Sequence, residues 1–233
     1  MMTRGKMVST TLDGLTKANA EYRKWSEDWV SDNPVEGLVV AHVARAFFER
    51  GRANSDKAGV TLEEKFGYLR DVALPENAKR GKPYKGFAKN RRVDVVYWIA
   101  DNPKVAIEVK RGGGWEGIER DLVRMRGLLA EAGPRHGGSL SACIVSHYLV
   151  GKWREDGTTK VERLIDRRRA KFSEFLQENR SKNLLLDIGA NGSGSQFKAS
   201  RIRKITEKGS HRRTHAFFEV GCCYLLAPSD TMG

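Results

Sequence analysis

Apolar positions along this chain follow two rhythms. The tightest run, Arg92-Val93-Asp94-Val95-Val96-Tyr97-Trp98-Ile99, is almost continuously hydrophobic and carries one acid near its start. A turn-like Asp101-Asn102-Pro103 separates it from a second run, Lys104-Val105-Ala106-Ile107-Glu108-Val109-Lys110. Both have the length and β-branched content of strands. Ser141 to Val150 reads as a buried strand, and Leu184-Leu185-Leu186 and Phe217 to Leu226 are further strand candidates. Elsewhere the period is helical. Val35, Val39, Val43 and Phe47 share one face, and so do Trp115, Ile118, Leu122, Met125 and Leu129. Val161, Leu164, Ile165, Phe172, Phe175 and Leu176 form a third stripe.

Punctuation sharpens these elements. Asn33-Pro34-Val35-Glu36 looks like a helix start, with Asn as N-cap, Pro at the first turn and Glu three residues after the cap. Gly51 is the expected stop of that helix. Gly112-Gly113-Gly114 ends the second strand, and Gly133-Pro134 with Gly137-Gly138 ends the helix after it. Glu21 to Val30 is expected to be a short helix with Trp25 and Trp29 on one face. Arg52 to Arg92 is poorly patterned, and Thr61 to Leu69 suits helix or strand. The order predicts an α/β protein, a central mixed β-sheet flanked by helices. With no repeat and no linker, a single domain over 1–233 is expected, its core at about 34–180 and its C-terminal extension basic.

Charge changes the picture more than composition does. The 42 Lys+Arg against 29 Asp+Glu give a formal net charge of +13, which favours a polyanionic partner, most simply nucleic acid. No secretory signal pattern and no membrane-spanning apolar stretch is visible, so a cytoplasmic protein without a membrane partner is expected. Cys143, Cys222 and Cys223 suggest neither a disulfide framework nor a zinc site. The five histidines show no HxxxH or HxH pairing.

Two adjacent strands thus present Asp94, Glu108 and Lys110 where core strands normally carry apolar side chains. Alternation puts Glu108 and Lys110 on one face and Val109 on the other. Two carboxylates suit a hard divalent cation that keeps water in its remaining positions. Such a cation acidifies water and neutralises phosphate charge, which are the needs of phosphodiester cleavage. Without it, the two carboxylates should repel each other and titrate upward. A lysine beside a cation is expected to have a lowered pKa. A solvated strand face with edge charges is the plain structural alternative.

Asp94 at a strand start followed by Glu108-Val109-Lys110, with a helix before and after, resembles the PD-(D/E)XK nuclease superfamily over roughly residues 34–150. Val93 stands where that motif often has proline. The resemblance implies a restriction-endonuclease-like core. It implies Asp94 and Glu108 as ligands of Mg²⁺ or Mn²⁺, the Val109 carbonyl as a third ligand, and Lys110 as the group that positions or deprotonates water. Many members add a glutamate from the first helix. Glu36 shares the apolar face of its helix and Glu49 does not, so Glu36 is the expected auxiliary ligand, although its spacing also suits a capping box.

Basic segments supply candidate nucleic-acid contacts. Lys82, Lys85, Lys89, Arg91 and Arg92 run into Asp94 without an acidic residue, and Tyr84 and Phe87 among them could stack on bases. Near the end, Arg201, Arg203, Lys204, Arg212 and Arg213 belong to the densest cluster. Arg163, Arg167 and Lys171 recur on one helix face, while Glu116, Glu119, Asp121 and Arg124 lie opposite the apolar stripe of their helix, where a solvated face is the plain expectation and the superfamily resemblance implies that polar residues can reach the active site. The expected function is a metal-dependent endonuclease acting on DNA, with RNA also compatible, in restriction, defence or mobile-element processing. A homodimer would let both strands be cut at once. The rivals are a non-catalytic nucleic-acid-binding module of the same fold and a methyltransferase. The methyltransferase rests on the glycine-rich Asp187-Ile188-Gly189-Ala190-Asn191-Gly192, which lies too late in the chain for that fold.

Overall fold

The computed structural model describes residues 2–26, 35–55, 57–73, 87–112, 114–132, 140–152, 157–181, 196–208 and 214–227. The elements run α1 (Arg4–Ser26), α2 (Glu36–Arg52), β1 (Ala58–Lys65), α3 (Phe66–Ala73), β2 (Arg92–Ile99), β3 (Asn102–Arg111), α4 (Trp115–Ala132), β4 (Ser141–Lys152), α5 (Gly157–Ser181), β5 (Gln196–Lys208) and β6 (Thr214–Leu226). The described strands form one six-stranded mixed sheet in the order β1-β2-β3-β4-β6-β5. Only β3 and β4 run parallel, joined through α4, and the other neighbours are antiparallel. This is the α/β layer architecture that the pattern predicts.

Both faces of the sheet are covered. Val95, Tyr97, Val105, Ile107, Val109, Cys143, Val145, Cys223 and Leu225 pack with α1 and α2. Val96, Trp98, Ala106, Ala142, Ile144, Tyr148, Cys222 and Tyr224 pack with α3, α4 and α5. Two-sided burial explains why β4 does not alternate between apolar and polar positions, its Ser146 and His147 being buried along with their apolar neighbours. The cysteines are unbonded and buried, and burial pushes the Cys222 thiol up to about 12, so they serve as core residues. Among the described residues no helix is long and apolar enough to cross a membrane.

Several elements depart from expectation. The first helix, Arg4–Ser26, begins well before the expected Glu21, while 27–30, with Trp29, lie outside the described residues, and its buried stripe of Val8, Leu12, Leu15 and Ala18 is diluted by Thr11, Gly14 and Asn19. Trp25 is exposed. The second helix begins at Glu36, its N-cap is Val35, and no side chain caps it. Glu36 is therefore the first helical residue and not a capping-box residue, while Asn33 and Pro34 lie outside the described residues. Gly51 does not stop the helix. It is buried within it, where a Cβ would come within 2.7 Å of the Tyr97 ring and 2.8 Å of Ala58. The ambiguous Thr61 to Leu69 is both things in turn, the end of β1 and the start of α3.

The core also extends beyond 34–180 at both ends, because α1 covers one face and β6 lies beside β4. The segment expected to be a basic extension contains β5, a regular edge strand whose Phe197 packs on Tyr224 with ring centroids 5.3 Å apart. Charge on an edge strand blocks pairing with other chains, which hides the strand from a hydrophobicity-based reading. Leu184-Leu185-Leu186 and the glycine-rich stretch after it lie outside the described residues.

Gly14 sets the closest approach between helices. A Cβ there would stand 2.6 Å from the Val43 Cα and 3.0 Å from the His42 carbonyl oxygen, so α1 and α2 meet backbone to backbone. The Gly14→Ala variant should be destabilised by about 1–2 kcal/mol, as overpacking outweighs the gain in helix propensity. Chemical denaturation tests this, and an unchanged or higher midpoint would contradict the tight crossing.

Candidate active site

The register of β2 and β3 places the acids. Val95 pairs with Ile107 and Val96 with Ala106, so the next position sets Asp94 across from Glu108. Cross-strand neighbours of this kind share a face. Here it is the face of Ala106 and Val96, towards α4. The Asp94 carboxylate reaches past the end of the ladder, and the Val109 N–H donates to its Oδ2 at 2.7 Å. Across the other edge of β2, Glu63 adopts a φ of 58°, a left-handed backbone at the position facing Asp94. The sheet is thus irregular where the acids project.

Glu108 is buried, 4% exposed. Its Oε1 takes the Lys110 Nζ at 3.2 Å and the Arg124 Nη2 at 2.7 Å. Its Oε2 is buried and has no hydrogen-bond partner among the described residues. Asp121, also buried, binds Lys110 at 3.1 Å through Oδ2 and Arg124 through Oδ1. Asp121 and Arg124 come from α4 and Glu108 and Lys110 from β3, so two acids and two bases close a quartet between helix and sheet. Of the two readings of the polar side of α4, a solvated face and a reach into the site, the plainer solvated one does not hold at Asp121. Instead Asp121 is buried because the helix lays this side across the end of β3. The (i, i+3) spacing of Asp121 and Arg124 was the available signal, but it does not say which side of the helix meets the sheet.

Electrostatics follow from burial. Asp94 is pushed up to about 7, first by desolvation and then by the Glu108 charge, with Glu36 adding to the rise. The Val109 N–H and Lys110 oppose the shift only in part. Glu108 is also raised by desolvation, against the pull of Lys110 and Arg124. Two inward carboxylates do titrate upward. The protein's own charges act on Lys110 in the other direction. Burial works to lower its pKa, but Glu108 and Asp121 outweigh that and hold it above the ordinary lysine value. It is a protonated donor while both partners keep it.

Glu36 stands exposed at the first position of α2, and its charge is felt at Asp94. Glu49 lies elsewhere, paired with Arg45 at 2.6 Å and Lys17 at 3.3 Å. Among the described residues no group of three or more His, Cys, Asp or Glu side chains is close enough to enclose a metal ion. Asp94 and Glu108 instead form a two-carboxylate edge. That suits Mg²⁺, which binds through one or two carboxylates and keeps much of its water. The orphaned Glu108 Oε2 and the upward-titrating Asp94 are what such a cation would satisfy.

The basic segment before β2 is anchored by its backbone. Phe66 N–H donates to the Arg91 carbonyl at 2.8 Å and Gly67 N–H to that of Lys89 at 3.0 Å, which satisfies the first donors of α3. Lys89, Arg91 and Arg92 are exposed beside Asp94. Phe87 is no free stacking platform: it packs on Phe66, centroids 6.4 Å apart, and on the core. Arg201, Arg203 and Lys204 lie on edge strand β5, with a register shift between Arg201 and Arg203. Tyr84, Lys82, Lys85, Arg212 and Arg213 lie outside the described residues. Arg163, Arg167 and Lys171 are exposed on α5, and Lys171 pairs with Glu174 at 2.8 Å.

No known protein family and no curated protein matches this sequence.

Proposed function

We propose that the chain is a divalent-cation-dependent nuclease that hydrolyses phosphodiester bonds of DNA, with the restriction-endonuclease-like arrangement its motif resembles. One observation carries the proposal. Continued by one position, the β2–β3 register sets Asp94 across from Glu108 beside Lys110, and Glu108 keeps a buried carboxylate oxygen without a partner among the described residues. A structural ion pair has no use for such an orphan, since an unsatisfied buried acceptor costs about 1–3 kcal/mol.

In this reading Asp94 and Glu108 hold Mg²⁺ or Mn²⁺, with the Val109 carbonyl and Glu36 in support. Backbone N–H and C=O of one extended residue point to the same flank, and the Val109 N–H already turns to Asp94. The cation supplies Lewis acidity, acidifying water and neutralising charge on phosphoryl oxygens. Lys110 keeps its proton while Glu108 and Asp121 hold it, so its first role is to orient water and donate to developing charge. A base role requires it to leave both acids. Lys89, Arg91 and Arg92 take phosphates next to the acids, and β5, whose sequence carries Arg201, Arg203 and Lys204, offers a second basic stretch at the far edge of the sheet. Four strand spacings separate β2 from β5 in the sheet order, about 19 Å. Two grips that far apart fix the register of a nucleic acid without reading its bases. A homodimer would present two such edges to one duplex.

A second reading has its own support. Glu108, Lys110, Asp121 and Arg124 already satisfy much of one another's charge, which a binding module without turnover could keep as a structural clasp. Incubation with supercoiled plasmid separates the two. The nuclease should nick with Mg²⁺ or Mn²⁺, stop in EDTA, and lose activity in the Asp94→Ala variant. DNA binding without nicking under any metal would leave the binding module.

A further inference from the structure

The quartet between β3 and α4 contains two unmet groups. Among the described residues Glu108 Oε2 lacks a donor, and the Arg124 Nε is buried without an acceptor. Arg124 meets both acids through the same nitrogen, Nη2, at 2.7 Å from Glu108 and in contact with Asp121. A guanidinium offers five donors in a planar fork, and bidentate pairing is its strong mode. Here the buried Nε is idle while one nitrogen, Nη2, is shared between two carboxylates. That is the geometry of a counter-ion filling in and not of a finished structural pair.

Charge points the same way. Glu108, Lys110, Asp121 and Arg124 sum to zero. If Asp94 and Glu108 are neutralised by a divalent cation, Lys110 and Arg124 face Asp121 alone. One positive charge is then left over, matching one phosphodiester. Asp121 would still hold Arg124 from its own helix, one turn away.

We propose that Arg124 is a built-in substitute for the cation. It neutralises Glu108 while the site is empty, and once Glu108 is occupied it turns its fork, still held by Asp121, onto the substrate phosphate. This rests on the cation-dependent reading of the site given above. It makes Arg124 a substrate-contacting residue and Asp121 its positioning residue.

The test pairs two readouts that should move in opposite directions. Mn²⁺ is titrated by calorimetry into substrate-free wild type, Arg124→Gln and Arg124→Lys, and plasmid nicking is measured at saturating Mn²⁺. Removing the competing charge should tighten Mn²⁺ binding by Arg124→Gln roughly five- to tenfold. Its nicking rate should fall by about 10²-fold, as on loss of a preorganised charge-stabilising donor. Arg124→Lys keeps the charge but not the fork, so its Mn²⁺ affinity should stay near wild type while nicking still falls by about tenfold. A merely structural arginine would weaken Mn²⁺ binding when removed. Equal or weaker binding by a folded Arg124→Gln overturns the proposal. Should that variant fail to fold, nicking by Arg124→Lys at the wild-type rate overturns it. Wild type that binds and nicks beside variants that do not differ from it removes this proposal alone. Wild type that neither takes up Mn²⁺ nor nicks removes the cation reading as well.

Discussion

Lys110→Ala should keep its affinity for DNA within about threefold of wild type while cation-dependent nicking falls by ~10²-fold or more, the usual scale for losing a positioned proton-handling group. The two expectations separate because Lys110 is a minor part of the basic surface but, among the described residues, the only amine bonded to both Glu108 and Asp121. The fold should survive, since Arg124 still bridges the two acids. Lys110→Arg should not restore the rate, because a planar fork cannot replace a compact ammonium between two acids. Gel-shift titration in Ca²⁺ and single-turnover nicking in Mg²⁺ check both halves. Nicking that is insensitive to Lys110→Ala would remove the lysine from the chemistry and return it to the structural clasp.

The second large effect is on stability, and its sign is opposite to that on activity. Burial and the Glu108 charge hold Asp94 at about 7, against an ordinary 3.8. An acid whose folded-state pKa is raised binds its proton more tightly when folded. The stability it allows is therefore fully present below about pH 4 and is lost as pH rises towards 7. The gap from 3.8 to about 7, at ~1.36 kcal/mol for each tenfold, sets a ceiling of about 4 kcal/mol. Solvent still reaches Asp94, so roughly half of that is the expected penalty. Asp94→Asn removes the charge and keeps an oxygen that can accept from the Val109 N–H.

Without divalent cations, then, the Asp94→Asn variant and wild type should unfold at similar denaturant concentrations near pH 4. At pH 8 the variant should be about 2 kcal/mol more stable. Adding Mn²⁺ at pH 8 should raise the wild-type midpoint and leave the variant nearly unmoved. Parallel pH profiles for the two proteins, or a variant less stable than wild type at pH 8, would show that Asp94 carries no such burden.

The strongest sequence signals came from residues whose environment is uniform. Val95, Val96, Tyr97, Val105 and Ile107 lie in strands buried on both faces, and their runs are legible because no polar residue interrupts them. The stripe on α4 is equally plain, since Ile118, Leu122, Met125 and Leu129 all enter one core. Elements with mixed environments were harder. In α1 Gly14 and the buried Thr11 and Asn19 interrupt the apolar contact face of Val8, Leu12, Leu15 and Ala18, and hydrophobicity marks it poorly. In β5 a charged edge strand has the composition of a basic tail.

Within the site the same division holds. Alternation put Glu108 and Lys110 on one side of β3, and the hairpin-like spacing brought Asp94 near them, because strand period and turn length are local properties. The partners of Lys110 are not local. Asp121 and Arg124 belong to a helix whose rotation about its axis is set by how its apolar stripe seats on the sheet, so their arrival at Glu108 is a consequence of packing. The state of Lys110 follows from that arrival: burial would lower its pKa, but two acids at 3.1 and 3.2 Å raise it. Residue order alone thus specified the layers, the paired strands and the acids they carry. Which charges face one another, and which proton stays where, depended on distances across the helix–sheet contact, because Coulombic interaction and desolvation act through space and not along the chain.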